Sequence, residues 1–281
     1  MIDAHTHFYD PLRPQGVPWP PADWPLYRQV FPEHWWEQAR AHGAEATVAV
    51  EASEWREDNH WLLDLADASD RIAAVIGNLD PFSGCFASDL KQIAAHPLFR
   101  GVRWRHELVE LQARSADCRS ACEALQASGL ILEVNGPSWM LRELTALAND
   151  FPDLRIVIDH AGLPGDPCRL SSEWFEAIAE ASHQQGMVLK LSGLMEQSDG
   201  SRAAYGQAPR DPDVYKPILE HCWNCFGQQR LLFASNWPAC EIGGSYADSL
   251  AIVEPFFRAR GDQACARYFR SNALEVYRIS L

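Results

Sequence analysis

The chain has 281 residues, of which 47% are hydrophobic and 22% charged, a composition typical of a globular protein with a full apolar core. Its 38 acidic residues outnumber 24 basic ones, and the formal net charge of −14 argues against nucleic-acid and anionic-membrane partners. We therefore expect a small-molecule substrate, no nucleic-acid or membrane partner, and a monomer or homodimer. The sequence shows neither a membrane-spanning apolar run nor an export signal, so a cytoplasmic location is expected.

Short runs rich in β-branched residues alternate with longer segments of helical periodicity. Strands are predicted at Ile2–His7, Ala46–Ala52, Ile72–Asn78, Gly101–Arg105, Leu130–Asn135, Arg155–His160, Met187–Ser192 and Leu231–Ser235. Helices are predicted at 33–42, 56–68, 83–95, 115–127, 138–150, 171–184, 213–226, 246–259 and 262–278. After the first strand, residues 9–32 are rich in proline and tryptophan, which predicts an ordered loop packed on the body of the protein.

This repeating order of strand and helix indicates parallel strands joined by helical crossovers. Eight such units in a chain of this length favour a (β/α)8 TIM barrel, a closed sheet of eight parallel strands, over an open doubly wound sheet. We expect one domain that spans residues 1–281. No glycine-rich phosphate-binding element follows any predicted strand, so the sequence does not support a nucleotide-binding fold.

Polar side chains stand where the predicted strands end, and in such barrels this rim carries the chemistry. His5 and His7 are two residues apart on the first strand, so both imidazoles point to one face and form a candidate chelating pair for a divalent metal. The other strand ends carry Glu51, Ser53, Asn78, Arg103, Arg105, Asn135, Asp159, His160, Lys190, Ser192 and Asn236, with His106 just beyond the fourth strand. As a set, these residues predict a binding or catalytic rim.

The strand ends resemble those of the amidohydrolase superfamily, in the amidohydrolase 2 branch that includes sugar-lactone and pyrone-dicarboxylate lactonases. The matching segments are Ile2–Pro11, Gly101–Arg103, Ile158–Pro164, Lys190–Leu194, Ala234–Pro238 and Ser271–Tyr277. They extend from one end of the chain to the other, so the resemblance covers essentially all of it. The resemblance independently implies a (β/α)8 barrel.

The resemblance also implies roles for individual residues. His5, His7 and His160 would hold one divalent metal ion, zinc in the wider superfamily, although some lactonases of this branch work without metal. His160 would otherwise polarise the scissile carbonyl.

Substrate contacts are implied as well. Arg103, whose guanidinium suits a carboxylate, and Lys190 would bind polar groups of the substrate, with Tyr9 and Trp237 as further contacts. Tyr9 and the tryptophan-rich loop would cover the site.

The last strand departs from the family pattern, because Asn236 stands where the resemblance leads us to expect an aspartate that takes the proton of the attacking water. An amide cannot act as a general base. Three explanations are open: another group, Glu51 or His160, is the base; the chain is a binding protein that has lost catalysis; or it is an engineered inactive variant.

The leading hypothesis is hydrolysis of a small lactone, or a related cyclic ester or amide, that is carboxylated or derived from a sugar. The alternatives are a zinc-dependent non-oxidative decarboxylase of the same superfamily and a catalytically impaired ligand-binding barrel.

Overall fold

A computed structural model describes residues 1–105 and 115–281. Its eight strands pair in parallel, each with the next along the chain, and form a nearly closed barrel. The strands are β1 Ile2–Thr6, β2 Ala46–Val50, β3 Ile72–Gly77, β4 Phe99–Arg105, β5 Ile131–Asn135, β6 Arg155–Ile158, β7 Met187–Leu191 and β8 Leu231–Phe233. A parallel bridge between Thr6 and Trp237 joins the first strand to the segment that follows the last strand. The predicted barrel is thus confirmed, and several strands end a residue or two before the prediction because their polar ends leave the hydrogen-bonded ladder.

Helices surround the sheet. They are α1 Pro32–Ala39, α2 Asp58–Asp67, α3 Phe86–Ile93, α4 Ala116–Ala127, α5 Met140–Asp150, α6 Ser172–Ser182, α7 Asp199–Ala203, α8 Pro212–Phe226, α9 Tyr246–Ala251, α10 Glu254–Arg258, α11 Asp262–Ala266 and α12 Asn272–Tyr277. Serine and aspartate side chains cap several amino-terminal ends, for example Ser115 at α4 and Ser171 at α6. None of the helices in the described ranges is long and apolar enough to cross a membrane.

Two predicted helices are divided, and one short helix was not predicted. The predicted helix 246–259 is α9 followed by α10, since Pro255 has no amide hydrogen for a continuous helix and fits only the first turn of a new one. The predicted helix 262–278 consists of α11, a π-helical turn over Arg267–Ser271, and α12. Helix α7 spans five residues, too few to give a periodic pattern.

Apolar side chains pack in two layers. The larger layer lies between the strands and the surrounding helices, and the smaller one fills the barrel from residues such as Ile2, Val48 and Val188. The residues that follow the smaller layer toward the carboxyl ends of the strands are polar and buried. This change from apolar to polar side chains places the site at one end of the barrel.

A buried carboxylate helps to close the barrel. Asp3 accepts hydrogen bonds from the Ser235 backbone N–H at 2.8 Å and the Ser235 hydroxyl at 2.6 Å. It also accepts one from the Trp35 indole at 3.1 Å. Asp3 therefore ties the first strand to the segment after the last strand and to α1.

The loop after β1 is fastened to the body at several points. Tyr9 and Val30 form an antiparallel bridge, and the Tyr9 hydroxyl donates to the Leu26 carbonyl at 2.8 Å. Arg28 Nη2 donates to both carboxylate oxygens of Glu241, at 2.8 and 2.9 Å. These contacts hold the proline-rich segment beside the end of the barrel that carries the site, and Trp19 from this segment reaches the cavity described next.

Candidate active site

A cavity of about 360 Å³ opens at the carboxyl ends of the strands. Its wall comprises His7, Trp19, Ala52, Arg103, Arg105, Asn135, His160, Leu163, Asn236 and Ala239. Six strand ends and the proline-rich loop contribute to this wall, which is the arrangement expected where a barrel builds its active site.

Three imidazoles meet at the base of this cavity. The Nε2 atoms of His5 and His7 are 3.1 Å apart, and the ring centroids of His5 and His160 are 4.7 Å apart. The convergence follows from the fold, because β1 and β6 lie in one barrel and their carboxyl ends face the same cavity.

Hydrogen bonds orient two of these rings. His7 Nδ1 lies 3.0 Å from the Val50 carbonyl, which only accepts, so Nδ1 carries the proton and Nε2 keeps its lone pair. His160 Nδ1 lies 2.9 Å from the Ser192 hydroxyl, which holds the second ring in place.

A buried lysine lies directly behind the histidines. Lys190 Nζ donates to Glu133 Oε2 at 2.6 Å, contacts His5 Nδ1 at 3.0 Å, and lies 3.1 Å from Asp159 Oδ1. The Tyr277 hydroxyl donates to the other oxygen of Glu133 at 2.6 Å. All five side chains are fully shielded from solvent, so a buried cluster of charged groups lies beneath the cavity.

Burial dominates the protonation of the site. It lowers the pKa of His5 and His7 well below the usual value, with help from the positive charges of Lys190 and Arg103 respectively, and it lowers the pKa of His160 to about 4. The three imidazoles are therefore neutral at neutral pH, the form that binds metal or accepts a proton.

The two carboxyl groups beside Lys190 shift in opposite directions. Burial raises the pKa of Glu133 to about 7, although Lys190 opposes that rise. Burial would also raise the pKa of Asp159, but the charge of Lys190 holds it well below its ordinary value. Asp159 is thus the carboxylate that stays ionised next to the imidazoles.

The arginines of the wall are paired with carboxylates of the protein. Arg103 donates through Nε to Glu51 Oε1 at 2.8 Å and through Nη2 to the Glu51 carbonyl at 2.7 Å. Arg105 lies 3.4 Å from Glu51 Oε2 and 3.3 Å from Glu54. Glu51, a predicted candidate for the base, is held between the two guanidinium groups and is not one of the wall residues.

The structure also shows where the other predicted site residues lie. Asn236 is at the wall, and its Nδ2 donates to Glu196 Oε1 at 2.9 Å. Tyr9 and Trp237, predicted to contact substrate, are not wall residues, because the Tyr9 hydroxyl bonds to the loop and the Trp237 indole donates to Glu241 at 3.0 Å. Lys190 lies inside the barrel below the wall, and His106 falls outside the described residues.

Two acidic residues of the site were not predicted. Glu133 stands in the middle of an apolar strand, two residues before Asn135, and a charge there was a readable signal of a polar barrel interior. Glu196 follows β7 in a loop with no periodic pattern, so only the folded chain reveals it. Burial raises the pKa of Glu196 to about 7.

The donor set fits a divalent metal. Ligand atoms of His5, Asp159 and His160 lie within 4.8 Å of one another. Both Asp159 oxygens are buried, and although Oδ1 is ion-paired with Lys190 at 3.1 Å, neither oxygen accepts a well-aligned hydrogen bond from the described chain. Imidazole and carboxylate are ligands that zinc takes in proteins. This cluster includes Asp159 in place of His7, which was predicted as a ligand, although His7 Nε2 borders it. A cation held there would share the Asp159 carboxylate with Lys190.

Comparisons with known proteins agree with this geometry. The family model described as Amidohydrolase matches residues 2–279. An L-fucono-1,5-lactonase from Burkholderia ambifaria is 32% identical over 99% of this chain and 95% of its own length. A solved amidohydrolase from Burkholderia multivorans with bound zinc has a TM-score of 0.88 at 27% identity, with 99% of each chain covered. A 5-carboxyvanillate decarboxylase from Sphingomonas paucimobilis, at 15% identity and a TM-score of 0.63 over 92% of this chain and 86% of its own, shares the fold alone.

Proposed function

The chain belongs to the amidohydrolase family, and from that premise we propose that it hydrolyses a lactone, specifically a neutral, polyhydroxylated sugar lactone. The 32% identical relative is named L-fucono-1,5-lactonase, which supports this reaction class. The observation that carries the choice of a neutral substrate is the pairing of both arginines at the cavity wall with glutamates of the protein.

Charge at the wall favours an uncharged ring over a carboxylated one. Arg103 has two of its nitrogens committed to Glu51, and Arg105 is shared between Glu51 and Glu54. A substrate carboxylate would have to compete with Glu51 for the buried Arg103 guanidinium. A neutral lactone has no such competition.

Two amide groups at the wall supply acceptors for hydroxyl groups. The Oδ1 atoms of Asn135 and Asn236 are buried and accept no hydrogen bond from the described chain. Buried acceptors without a donor are costly, so a bound ligand that brings hydroxyl donors relieves that cost. Sugar lactones carry such hydroxyls around the ring, which supports a sugar-derived substrate.

His7 and His160 have different roles in the proposed reaction. We assign His7 as the proton acceptor, because its Nε2 keeps the lone pair and the ring borders the cavity. Water attacks the carbonyl carbon as its proton passes to His7, the ring C–O bond then breaks, and the departing ring oxygen takes that proton to give the open hydroxy acid. His160 acts at the carbonyl oxygen, as a neutral imidazole of low pKa suited to donating a hydrogen bond.

A divalent metal is compatible with the same side chains. His5, Asp159 and His160 would hold it, in which case His160 would not also donate to the carbonyl oxygen, and zinc is the ion we propose from the ligand types. Its contribution when bound would be Lewis-acid polarisation of the carbonyl. Lys190 anchors Asp159 and His5 from behind, and Trp19 forms part of the cavity wall.

The test is a substrate panel read with a pH indicator, since each hydrolysis releases a proton. We expect L-fucono-1,5-lactone and related neutral sugar lactones to be hydrolysed much faster than 2-pyrone-4,6-dicarboxylate. His7→Ala and His160→Ala should each lower kcat by about 10²-fold or more, the usual contribution of a positioned acid or base. His183→Ala is the matched control, because His183 is exposed on the outer face of the barrel.

Two outcomes would overturn the proposal. Turnover of the dicarboxylate with no turnover of neutral lactones would contradict the assignment of substrate charge. Full activity in His7→Ala would remove that imidazole from proton transfer, whatever the substrate.

A further inference from the structure

The hydrogen bond between Asn236 and Glu196 fixes the direction of an amide at the cavity wall. Asn236 Nδ2 donates to Glu196 Oε1 at 2.9 Å. The structure has the amide NH₂ facing Glu196, the direction that the ionised carboxylate requires because it only accepts, and the amide oxygen facing away from it. That oxygen is buried and accepts no hydrogen bond within the described ranges, although Asn236 lines the cavity.

The position of Asn236 in the fold makes this direction important. Asn236 follows β8 with φ at 60°, a left-handed conformation that asparagine tolerates better than most residues, and its backbone N–H donates to the His5 carbonyl at 3.0 Å. The backbone is therefore held against β1, and what remains adjustable is which end of the amide meets Glu196.

We propose that Glu196 is a positioning residue for substrate recognition: it holds the Asn236 amide so that Oδ1 accepts a hydroxyl group of the bound lactone. This inference rests on the proposed function, since it requires a hydroxylated substrate. It makes Asn236 a specificity residue with an acceptor of fixed direction, and it gives Glu196 a role although that side chain is not part of the cavity wall.

The pair also explains why asparagine suits this strand end in this chain. An aspartate at position 236 would place two carboxyl groups about as close as the 2.9 Å contact seen here, and like charges at that distance must share one proton. Burial already raises the pKa of Glu196 to about 7, so a second acid beside it would not be a free carboxylate. Asparagine and glutamate form a complementary donor and acceptor instead.

Two substitutions of Glu196 separate positioning from packing. Glu196→Leu removes the acceptor and frees the amide to turn, and we expect KM for L-fucono-1,5-lactone to rise about 10-fold with kcat nearly unchanged, the pattern of a lost binding contact. Glu196→Gln keeps an amide oxygen that can accept from Asn236, so its KM should stay within about 2-fold of the wild type.

The decisive experiment is a double variant of Asn236 and Glu196. Asn236→Asp opposes two carboxyl groups and should lower kcat/KM by about 10-fold or more, whereas Asn236→Asp combined with Glu196→Gln lets the new glutamine amide donate to the aspartate and should restore most of it. Because this double variant has no opposed acids, it also keeps the test open if Glu196→Leu fails to fold, which thermal unfolding would reveal.

Each result has a defined meaning. A wild type that hydrolyses no sugar lactone refutes the proposed function and this inference with it. A wild type that does hydrolyse one, with equal KM in Glu196→Leu and no rescue in the double variant, overturns the role of Glu196 alone. A rise in KM in Glu196→Leu, a normal KM in Glu196→Gln and rescue in the double variant support it.

Discussion

Replacing Lys190 by methionine should be among the most destabilising single changes in this barrel. The substitution keeps the length and volume of the side chain but removes the ammonium group that lies 2.6 Å from Glu133 and 3.1 Å from Asp159. Both carboxyl groups have no exposed surface, so water cannot replace the lost partner.

The expected loss follows from that geometry. Removing one partner of a buried ion pair costs about 3–5 kcal/mol of unfolding free energy, because an uncompensated charge remains in a medium of low dielectric constant. The carboxyl groups respond by taking up protons, and burial raises the pKa of Glu133 to about 7 even with Lys190 present. The deficit of Lys190→Met should therefore be largest near pH 8 and shrink near pH 5.5, where a neutral Glu133 needs no counterion.

Urea denaturation at the two pH values measures this effect. Tyr277→Phe is the matched control, since it removes only the hydroxyl that donates to Glu133 and should cost about 1.5–3 kcal/mol. Adding Glu133→Gln to Lys190→Met should recover part of the loss. A deficit below about 1 kcal/mol at pH 8, or one that is equal at both pH values, would refute the idea that Lys190 neutralises buried carboxylates.

Three further outcomes are expected. Gly193→Ala should lower kcat/KM by about 10²-fold in steady-state assays, since its φ is +64° and an added Cβ would lie 2.9 Å from His160 Cβ; unchanged kinetics would show that His160 has room to move. Relative to His160→Gln, the wild type should lose about 2 kcal/mol of unfolding free energy between pH 7 and pH 5. The reason is that the imidazole takes up a proton in the unfolded chain but, with a pKa of about 4, stays neutral in the folded one. A difference between the two proteins that does not change with pH would contradict the lowered pKa. Elemental analysis after growth with added zinc should find about one metal ion per chain in the wild type and far less in His5→Ala, and equal contents would exclude His5 as a ligand.

The regular parts of this fold were predictable because they repeat. Eight apolar strands with helical segments between them specify parallel crossovers, and polar residues at the strand ends mark the rim. The spacing of His5 and His7 was enough to place both rings on one face. Where a proline interrupts a helical pattern, as Pro255 does, the sequence also holds the reason for the break, although periodicity alone suggested one helix.

What the sequence left undetermined is how polar side chains pair across distant strands. Arg103 and Lys190 were both predicted to bind the substrate. Their nearest partners are instead Glu51 and Glu133, which come from other parts of the sheet. Pairing of this kind depends on register and side-chain direction in three dimensions. For the same reason Glu196, from an irregular loop, gave no signal that it would meet Asn236.

The contact between Asp3 and Ser235 joins residues 232 positions apart, so this connection between the two ends of the barrel can form only after both have been synthesised. During synthesis, β1 can therefore contact the segment after β8 only when nearly all of the barrel has emerged from the ribosome. Enzymatic activity should therefore depend on complete translation. In a timed cell-free reaction, turnover should begin only after full-length chains are released, and chains halted before β8 should show no activity.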